Sequence, residues 1–181
     1  MITLVLGGAR SGKSSYAEAK VAACTEYSTK HYLATAQALD EEMERRISHH
    51  RSSRSNDWVV EEIPLALAER IERAAQSEII LVDCLTLWMT NVIVETGDGV
   101  TPEQADRLIQ ARVANLIDAL NNTSARVVLV SNEVGLGIMP MGEVTRRYVD
   151  HAGWMNQAIA KVADNVVFIA AGLPLKLKGE G

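Results

Sequence analysis

The chain has 181 residues, of which 48% are hydrophobic and 23% are charged, a balance that suits one globular domain with a proper core. Its formal charge of -5 argues against nucleic-acid binding through a broad basic surface, because neutralising many phosphates requires a lysine- and arginine-rich face. Two cysteines are too few for a disulfide framework, and the first residues lack the basic flank and long apolar stretch of a signal peptide. No run approaches the roughly 18 apolar residues of a membrane span. We therefore expect one domain over residues 1–181, in a reducing, cytoplasmic setting.

Short apolar runs alternate with longer helix-like stretches along the chain. The predicted strands are 2–6, 31–35, 58–62, 79–83, 126–131 and 166–170, and the predicted helices are 13–24, 39–50, 64–75, 102–120 and 143–163. Several strands are apolar throughout, which is typical of a parallel sheet covered by helices on both faces. The alternation predicts an α/β fold with a doubly wound, mostly parallel sheet flanked by helices.

One helix start is marked by its own residues. Thr101 offers a capping hydroxyl, Pro102 occupies the first helical position and Gln104 stands at the third, which together predict a capping box. The stretch 95–100 before it is predicted to be a loop.

The first predicted strand and helix are joined by GGARSGKS, at positions 7–14. This segment matches the phosphate-loop pattern G-x-x-x-x-G-K-[S/T] at every fixed position, and its strand-to-helix context argues against a chance glycine-rich turn. Glycines let backbone N–H groups turn toward phosphate oxygens, and the following helix adds the positive end of its dipole. Lys13 is predicted to reach the β- and γ-phosphates, and the Ser14 hydroxyl to ligate Mg²⁺. The predicted phosphate-binding residues are Gly7, Gly8, Ala9, Arg10, Ser11, Gly12, Lys13 and Ser14.

Acidic and amide side chains follow two later buried strands. Asp83, at the end of the run 79–83, is predicted to hold the metal through water, as P-loop enzymes require of a carboxylate on a neighbouring strand. Helix capping is an alternative role for Asp83. Asn132 and Glu133 follow the next strand, at the edge where open α/β sheets bind ligands. A turn before Gly135 explains these two residues nearly as well.

Two adjacent histidines stand among four arginines in RRISHHRSSR, at positions 45–54. If 39–50 is a helix, His50 falls on its apolar stripe and His49 points to the side. Adjacent helical residues diverge, so the two rings make a poor metal pair. The arginines suit either a solvated surface or the charge of nucleotide phosphates, and a neutral imidazole beside phosphates can attack phosphorus.

These motifs together make the sequence resemble the bifunctional adenosylcobinamide kinase/adenosylcobinamide-phosphate guanylyltransferases of cobalamin biosynthesis. The matching segments are GGARSGKSSYAE, YLATAQALDEEMERRISHHR, WVVEE, ILVDCLTLWMTN, VVLVSNEVGLGIMP and AGWMNQAIAKVADNVVFIAAGLPLKLK. They run nearly the whole chain, and 95–123 is the least covered region. A P-loop is shared by many families, whereas RISHH followed by SNEVGLGIMP is far more specific.

The resemblance implies a P-loop NTPase fold of the RecA-like type and two reactions. The family transfers a γ-phosphoryl group, from ATP or GTP, to the hydroxyl on the aminopropanol arm of adenosylcobinamide. It then transfers GMP from GTP to the resulting phosphate through a guanylyl-histidine, giving adenosylcobinamide-GDP and pyrophosphate. By position, the histidine nucleophile is His49. A guanylyltransferase without kinase activity, and a P-loop kinase or nucleotide switch without a covalent histidine, are the alternatives.

Further roles follow from the resemblance by position. Residues expected to contact the nucleotide are Ala34, Thr35, Ala36, His50, Arg51, Ser52, Ser53 and Glu62. Glu62 is suited to guanine, because a carboxylate accepts hydrogen bonds from N1–H and the 2-amino group together, although Glu61 competes for that role. Asp83 matches an acidic family position. The resemblance also implies a homotrimer in which neighbouring subunits help to form the active site.

Overall fold

A computed structural model describes residues 1–36, 58–97 and 99–179 of the chain. The predicted helix 39–50 lies outside the described residues. None of the helices that the structure describes is long and apolar enough to cross a membrane.

Seven described strands form one sheet in the order β3-β2-β4-β5-β1-β6-β7. The strands are β1 (Ile2–Gly7), β2 (Thr29–Ala34), β3 (Trp58–Glu62), β4 (Glu78–Asp83), β5 (Arg126–Asn132), β6 (Asn165–Ala170) and β7 (Leu173–Lys178). The first six are mutually parallel, and β7 pairs antiparallel with β6 at one edge. The predicted strands are confirmed to within two residues at each end. All of them except the edge strand β3 contain an apolar run that is buried in the structure.

Five described helices surround the sheet. They are α1 (Lys13–Ala22), α2 (Leu67–Glu72), α3 (Leu85–Glu95), α4 (Pro102–Asn122) and α5 (Glu143–Val162). Alternate strand residues face opposite ways: Leu4 belongs to the core beneath α2–α5, whereas Val5 packs with α1 on the other face. Both faces are thus covered, and the doubly wound α/β architecture is confirmed.

Helix α2 is shorter than the predicted 64–75. It begins at Leu67, after a bend at Pro64, and it ends at Glu72, with Arg73 as its C-terminal cap. The hydrogen bond from Arg70 N–H to Ala66 O, at 3.2 Å, marks the first turn of the helix, so Pro64 and Leu65 lie before it.

Two elements were absent from the sequence prediction. Helix α3 is apolar on most sides because it is buried, with Leu85, Trp88 and Met89 fully enclosed, and it therefore lacks a helical pattern of polar positions. Strand β7 is exposed along its whole length and contains Pro174, which is tolerated at a sheet edge. In α4, the capping box is confirmed: the Thr101 hydroxyl accepts from Gln104 N–H, and the Gln104 side chain accepts from Thr101 N–H.

The parallel arrangement brings the carboxyl ends of six strands to one edge of the sheet. Gly7, at the end of β1, is in register with Asn132 on β5 and Ile169 on β6. Ala34 on β2 is in register with both Glu62 on β3 and Asp83 on β4. This edge carries nearly all the predicted site residues that the structure describes.

Candidate phosphate-binding site

The loop between β1 and α1 folds back on itself as a phosphate loop does. Gly12 has a φ of 96° and precedes α1, and Arg10 has a φ of 55°, so two residues of the loop adopt the left-handed backbone conformation. Ser11 N–H donates to Gly8 O at 3.3 Å. The buried Lys13 extends its Nζ along the loop and donates to Gly8 O at 3.1 Å. The ammonium group of Lys13 therefore lies beside the loop backbone that is predicted to bind phosphates.

The turn between β6 and β7 supports this loop from the side. Gly172 N–H donates to Ser11 O at 2.8 Å, and a methyl group at Gly12 would lie 3.3 Å from Gly172 Cα. A methyl group at Gly7 would lie 2.5 Å from Ser11 Oγ and 2.7 Å from Ile169 O. Such short contacts leave no room for a side chain at Gly7, so the loop is closely packed against β6 and the following turn. The sequence prediction did not identify Gly172 as part of the site.

Asp83 stands at the same edge but two strands away from the phosphate loop. Strand β5 lies between β1 and β4, so the expectation that Asp83 follows a strand next to β1 is wrong. The sequence did not predict that β5 lies between β1 and β4, because the order of strands along the chain does not fix their order in the sheet. Tyr32 Oη donates to Asp83 Oδ2 at 2.9 Å. Cys84, rather than Asp83, precedes α3 as its N-cap residue, without a side-chain capping bond, so the capping role for Asp83 is also wrong.

Thr35 ties β2 to the link between β4 and α3. Its hydroxyl donates to Cys84 O at 2.7 Å and accepts from Cys84 N–H at 2.9 Å, and the side chain is fully buried. Asn91 Nδ2 donates to Thr35 O at 2.8 Å. Burial, then the charge of Asp83, raises the pKa of the Cys84 thiol, which therefore stays protonated near neutral pH. The nucleotide contact expected of Ala34, Thr35 and Ala36 stays a prediction, and the Thr35 hydroxyl is already engaged.

The two adjacent acids on β3 have different surroundings. Arg70 donates through Nε to Glu61 Oε2 at 2.8 Å and through Nη2 to Glu61 Oε1 at 2.8 Å, and it also pairs with Glu78 at 3.2 Å. His31 Nδ1 lies 2.7 Å from Glu61 Oε1. The Arg70 hydrogen bonds, and less strongly His31, hold the pKa of Glu61 below its ordinary value, and Glu61 raises the pKa of Arg70. Glu61 is therefore part of an ion-pair network, while Glu62 is exposed at the strand end.

Asn132 and Glu133 lie directly beside the phosphate loop. Glu133 N–H donates to Gly7 O at 3.0 Å, and Glu133 Oε1 accepts from Gly135 N–H at 2.7 Å, so the Glu133 side chain forms the turn. Asn132 Nδ2 donates to Thr86 Oγ1 at 3.1 Å, and Asn156 Nδ2 donates to Asn132 O at 3.3 Å. These contacts connect the phosphate-loop edge to α3 and α5. Sequence reasoning missed Thr86 and Asn156; for Thr86, a polar residue within the mostly apolar stretch 85–95 was the available signal.

Several predicted site residues are not covered by the described ranges. They are His49, His50, Arg51, Ser52 and Ser53. Within the described ranges, no group of three or more His, Cys, Asp or Glu side chains could hold a metal ion.

The strand, phosphate loop and helix, at the edge of a doubly wound parallel sheet, define a P-loop nucleotide-binding protein. The family model described as "CobU: Cobinamide kinase / cobinamide phosphate guanyltransferase" matches residues 3–177. The chain belongs to this family of enzymes.

Curated relatives agree over the full length. The bifunctional adenosylcobalamin biosynthesis protein CobP of Pseudomonas aeruginosa is 49% identical over 181 residues, covering 99% of each chain. The bifunctional adenosylcobalamin biosynthesis proteins CobU of Escherichia coli and Salmonella typhimurium are 39% and 40% identical over 184 residues, covering 98% of this chain and 100% of each relative.

Solved structures support the fold. A protein of Pyrococcus horikoshii OT3 has a TM-score of 0.56 and 10% identity, covering 99% of this chain and 87% of that chain. An ATPase from a bacterial type III secretion system also has a TM-score of 0.56 and 10% identity, and the match covers 97% of this chain and 56% of that chain. At this identity the likeness concerns the fold alone, which is that of the P-loop NTPases.

Proposed function

We propose that this chain phosphorylates adenosylcobinamide with ATP or GTP and then transfers GMP from GTP to adenosylcobinamide-phosphate. The product is adenosylcobinamide-GDP, and pyrophosphate is released. The observation that carries the proposal is the complete phosphate loop at residues 7–14, with Lys13 buried beside it, in a chain of the cobinamide kinase and guanyltransferase family. Single-domain organisation over residues 1–181 is part of the proposal.

In the kinase step, the hydroxyl oxygen of adenosylcobinamide attacks the γ-phosphorus. An oxygen–phosphorus bond forms, the bond to the β-phosphate oxygen breaks, the nucleoside diphosphate leaves, and the hydroxyl proton passes to water. Backbone N–H groups of residues 8–13 cradle the phosphates, and Lys13 neutralises charge on the β- and γ-phosphates. Lys13 acts in this account as a catalytic residue because it contacts the transferred group.

The donor set at this edge fits Mg²⁺. The ion prefers oxygen ligands and usually takes one or two protein oxygens together with substrate phosphates and water. Ser14, in the first turn of α1, and Asp83, at the end of β4, supply a hydroxyl and a carboxylate. In this arrangement Ser14 would ligate the ion directly and Asp83 would hold it through water. When bound, Mg²⁺ neutralises charge on the phosphates.

In the guanylyltransferase step, His49 is the proposed nucleophile. Its ring nitrogen attacks the α-phosphorus of GTP, a nitrogen–phosphorus bond forms, and pyrophosphate leaves. The phosphate oxygen of the phosphorylated substrate then attacks the same phosphorus, and the nitrogen–phosphorus bond breaks. His50, Arg51, Ser52 and Ser53 are proposed to contact the nucleotide, on the basis of the family resemblance.

Glu62 is the proposed reader of the guanine base. Glu61 is held by Arg70 and His31 in an ion-pair network, and the preference for Glu62 rests on its position four residues after Trp58, which matches the family. The register of Ala34 with both Glu62 and Asp83 supports the proposal that segment 34–36 also lines the nucleotide. A homotrimer in the cytoplasm is the proposed working form.

The two reactions can be separated by supplying each substrate in turn. Purified protein with Mg²⁺ and ATP or GTP should convert adenosylcobinamide to its phosphate, and with GTP it should form adenosylcobinamide-GDP, as detected by mass spectrometry. We expect Lys13→Ala to slow the kinase step by about 100-fold or more, because the variant lacks the ammonium group that stabilises the negative charge of the transferred phosphoryl group. Conversion of adenosylcobinamide-phosphate alone would reduce the function to guanylyl transfer. If neither product formed, the remaining interpretation would be that the protein is a nucleotide switch.

A further inference from the structure

The loop between β5 and α5 exposes an unusual number of large apolar side chains. We name residues 134–141, VGLGIMPM, the apolar loop. Ile138 is 98% exposed, Met141 is 96% exposed and Leu136 is 79% exposed, and Met139 is more than half exposed. Contiguous exposed apolar surface is a mark of ligand or partner binding, because water contact is unfavourable for these groups.

The apolar loop begins at the phosphate-binding edge. Strand β5 is hydrogen-bonded to β1, with Asn132 in register with Gly7. The next residue, Glu133, donates its N–H to Gly7 O at 3.0 Å. The apolar loop therefore leaves the sheet directly beside the loop that binds phosphates in the proposed function.

Polar contacts hold the backbone of the apolar loop at both ends. At the start, Glu133 Oε1 accepts from Gly135 N–H at 2.7 Å. At the end, Arg146 Nη1 donates to Pro140 O at 3.3 Å and also to Met141 O. The side chains of this segment are thus left exposed while its backbone is anchored, which lowers the entropy cost of binding a ligand there.

We propose that the apolar loop binds the face of the corrin ring of adenosylcobinamide, with Ile138 and Met141 as its main contacts. This inference rests on the proposed function. A corrin ring presents a broad apolar face, and no charged residue lies between Glu133 and Glu143 to oppose it. Methionine side chains adapt to irregular apolar surfaces. Because the apolar loop starts beside Gly7, a ring held here lies at the edge of the sheet that carries the phosphate loop.

The apolar loop alone is smaller than a complete interface with a second copy of the chain would be. A stable protein interface buries about 800 Å² on each partner, spread over roughly 20–30 residues. The apolar loop is a segment of eight residues, 134–141, which can cover one face of a macrocycle but is small for a whole subunit interface.

Equilibrium dialysis tests the proposal directly, with adenosylcobinamide followed by its own absorbance. The double variant Ile138→Ser/Met141→Ser should weaken binding by at least about tenfold, since each apolar contact with a ligand contributes a factor of this order. The matched control is Val94→Ser, which replaces a valine that is 69% exposed on α3. GTP affinity, thermal stability and oligomeric state should be unchanged in both variants.

Equal corrinoid binding by the double variant and the wild type would overturn the proposal. So would a double variant that changes oligomeric state along with corrinoid affinity, because the apolar loop would then be a contact between subunits. The proposed function fails differently: wild-type protein would bind adenosylcobinamide and GTP yet form neither product. Binding is measured without turnover, so the dialysis result holds in either case.

Discussion

Gly7 and Gly8 are neighbours in the phosphate loop, yet their surroundings differ sharply. A methyl group at Gly7 would meet Ser11 Oγ and Ile169 O, whereas one at Gly8 would have nothing within 4 Å. The Ile169 contact is with the backbone of β6, which is paired with strands on both sides and cannot move aside cheaply. Gly7 is thus required by packing, independently of any phosphate.

Substitution of Gly7 by alanine should therefore destabilise the nucleotide-free protein. We expect Gly7→Ala to lower the free energy of unfolding by about 1–3 kcal/mol, the usual cost of overpacking, and Gly8→Ala to change it little. Urea unfolding of both variants without nucleotide provides the measurement. Equal stability of the two variants would show that the close contacts at Gly7 relax without cost.

Glu61 provides a pH-dependent test. Arg70, and then His31, lowers the folded-state pKa of Glu61 below its ordinary value of 4.5. The stabilisation from this carboxylate is therefore complete above pH 4.5 and is lost as the pH falls through the lower folded-state value.

We accordingly expect Glu61→Gln to be less stable than the wild type at pH 7, with the difference shrinking as the pH falls below 4.5. Urea midpoints measured across this range test the prediction. Glu69→Gln is the control, because Glu69 lies exposed on the same helix as Arg70. A stability difference that stays constant at low pH would mean that packing, rather than charge, accounts for the effect.

Residue roles could be predicted where a local pattern carries them. The phosphate loop was found from the sequence because its glycines, lysine and serine are adjacent in the chain. Glu62 was chosen over Glu61 through its match to the family position after Trp58, and that choice stays a prediction. The ion-pair partner of Glu61 could not be predicted, because Arg70 reaches β3 from α2. The hydrogen-bond partners of Thr35 lie 49 and 56 positions away in the chain, so the sequence alone did not indicate these contacts.

Among the elements, the hairpin of β6 and β7 has an unexpected role. Its turn carries Ala171 and Gly172, both with positive φ, and the Gly172 N–H holds Ser11 O of the phosphate loop. The hairpin is thus a support for the nucleotide site. Neither β7 nor this contact was predicted, because an exposed strand with a proline gives no burial pattern.

Gly172→Ala should weaken nucleotide binding several-fold. Gly172 has a φ of 81°, and an L side chain there costs about 1–2 kcal/mol, which the turn can relieve by shifting away from Ser11. Gly97→Ala is the matched control, because Gly97 has a φ of 69° and lies after α3. Calorimetric titration with GTP should show lost affinity for the first variant alone, with similar losses of stability in both. The same GTP affinity in both variants would contradict the supporting role.

At the scale of the whole molecule, the sheet order decides how the site is assembled. The alternation of strands and helices predicted the doubly wound fold, since the buried strands can be recognised in the sequence by their apolar runs. The position of β5 between β1 and β4 is a long-range fact that no local pattern contains. As a result the phosphate loop and Asp83 share one edge but not neighbouring strands, and the apolar loop emerges beside β1.

The central claim is that one chain uses its phosphate loop for phosphoryl transfer and His49 for guanylyl transfer. Wild-type protein, His49→Ala and His50→Ala should each be incubated with Mg²⁺ and GTP labelled at the α- or γ-phosphate, then denatured and isolated. The account predicts α-label retained by the wild type and His50→Ala, labile to acid and stable to base, with none on His49→Ala and no γ-label on any of them. Retained α-label on His49→Ala, or no adduct on wild-type protein that still binds GTP, would contradict it.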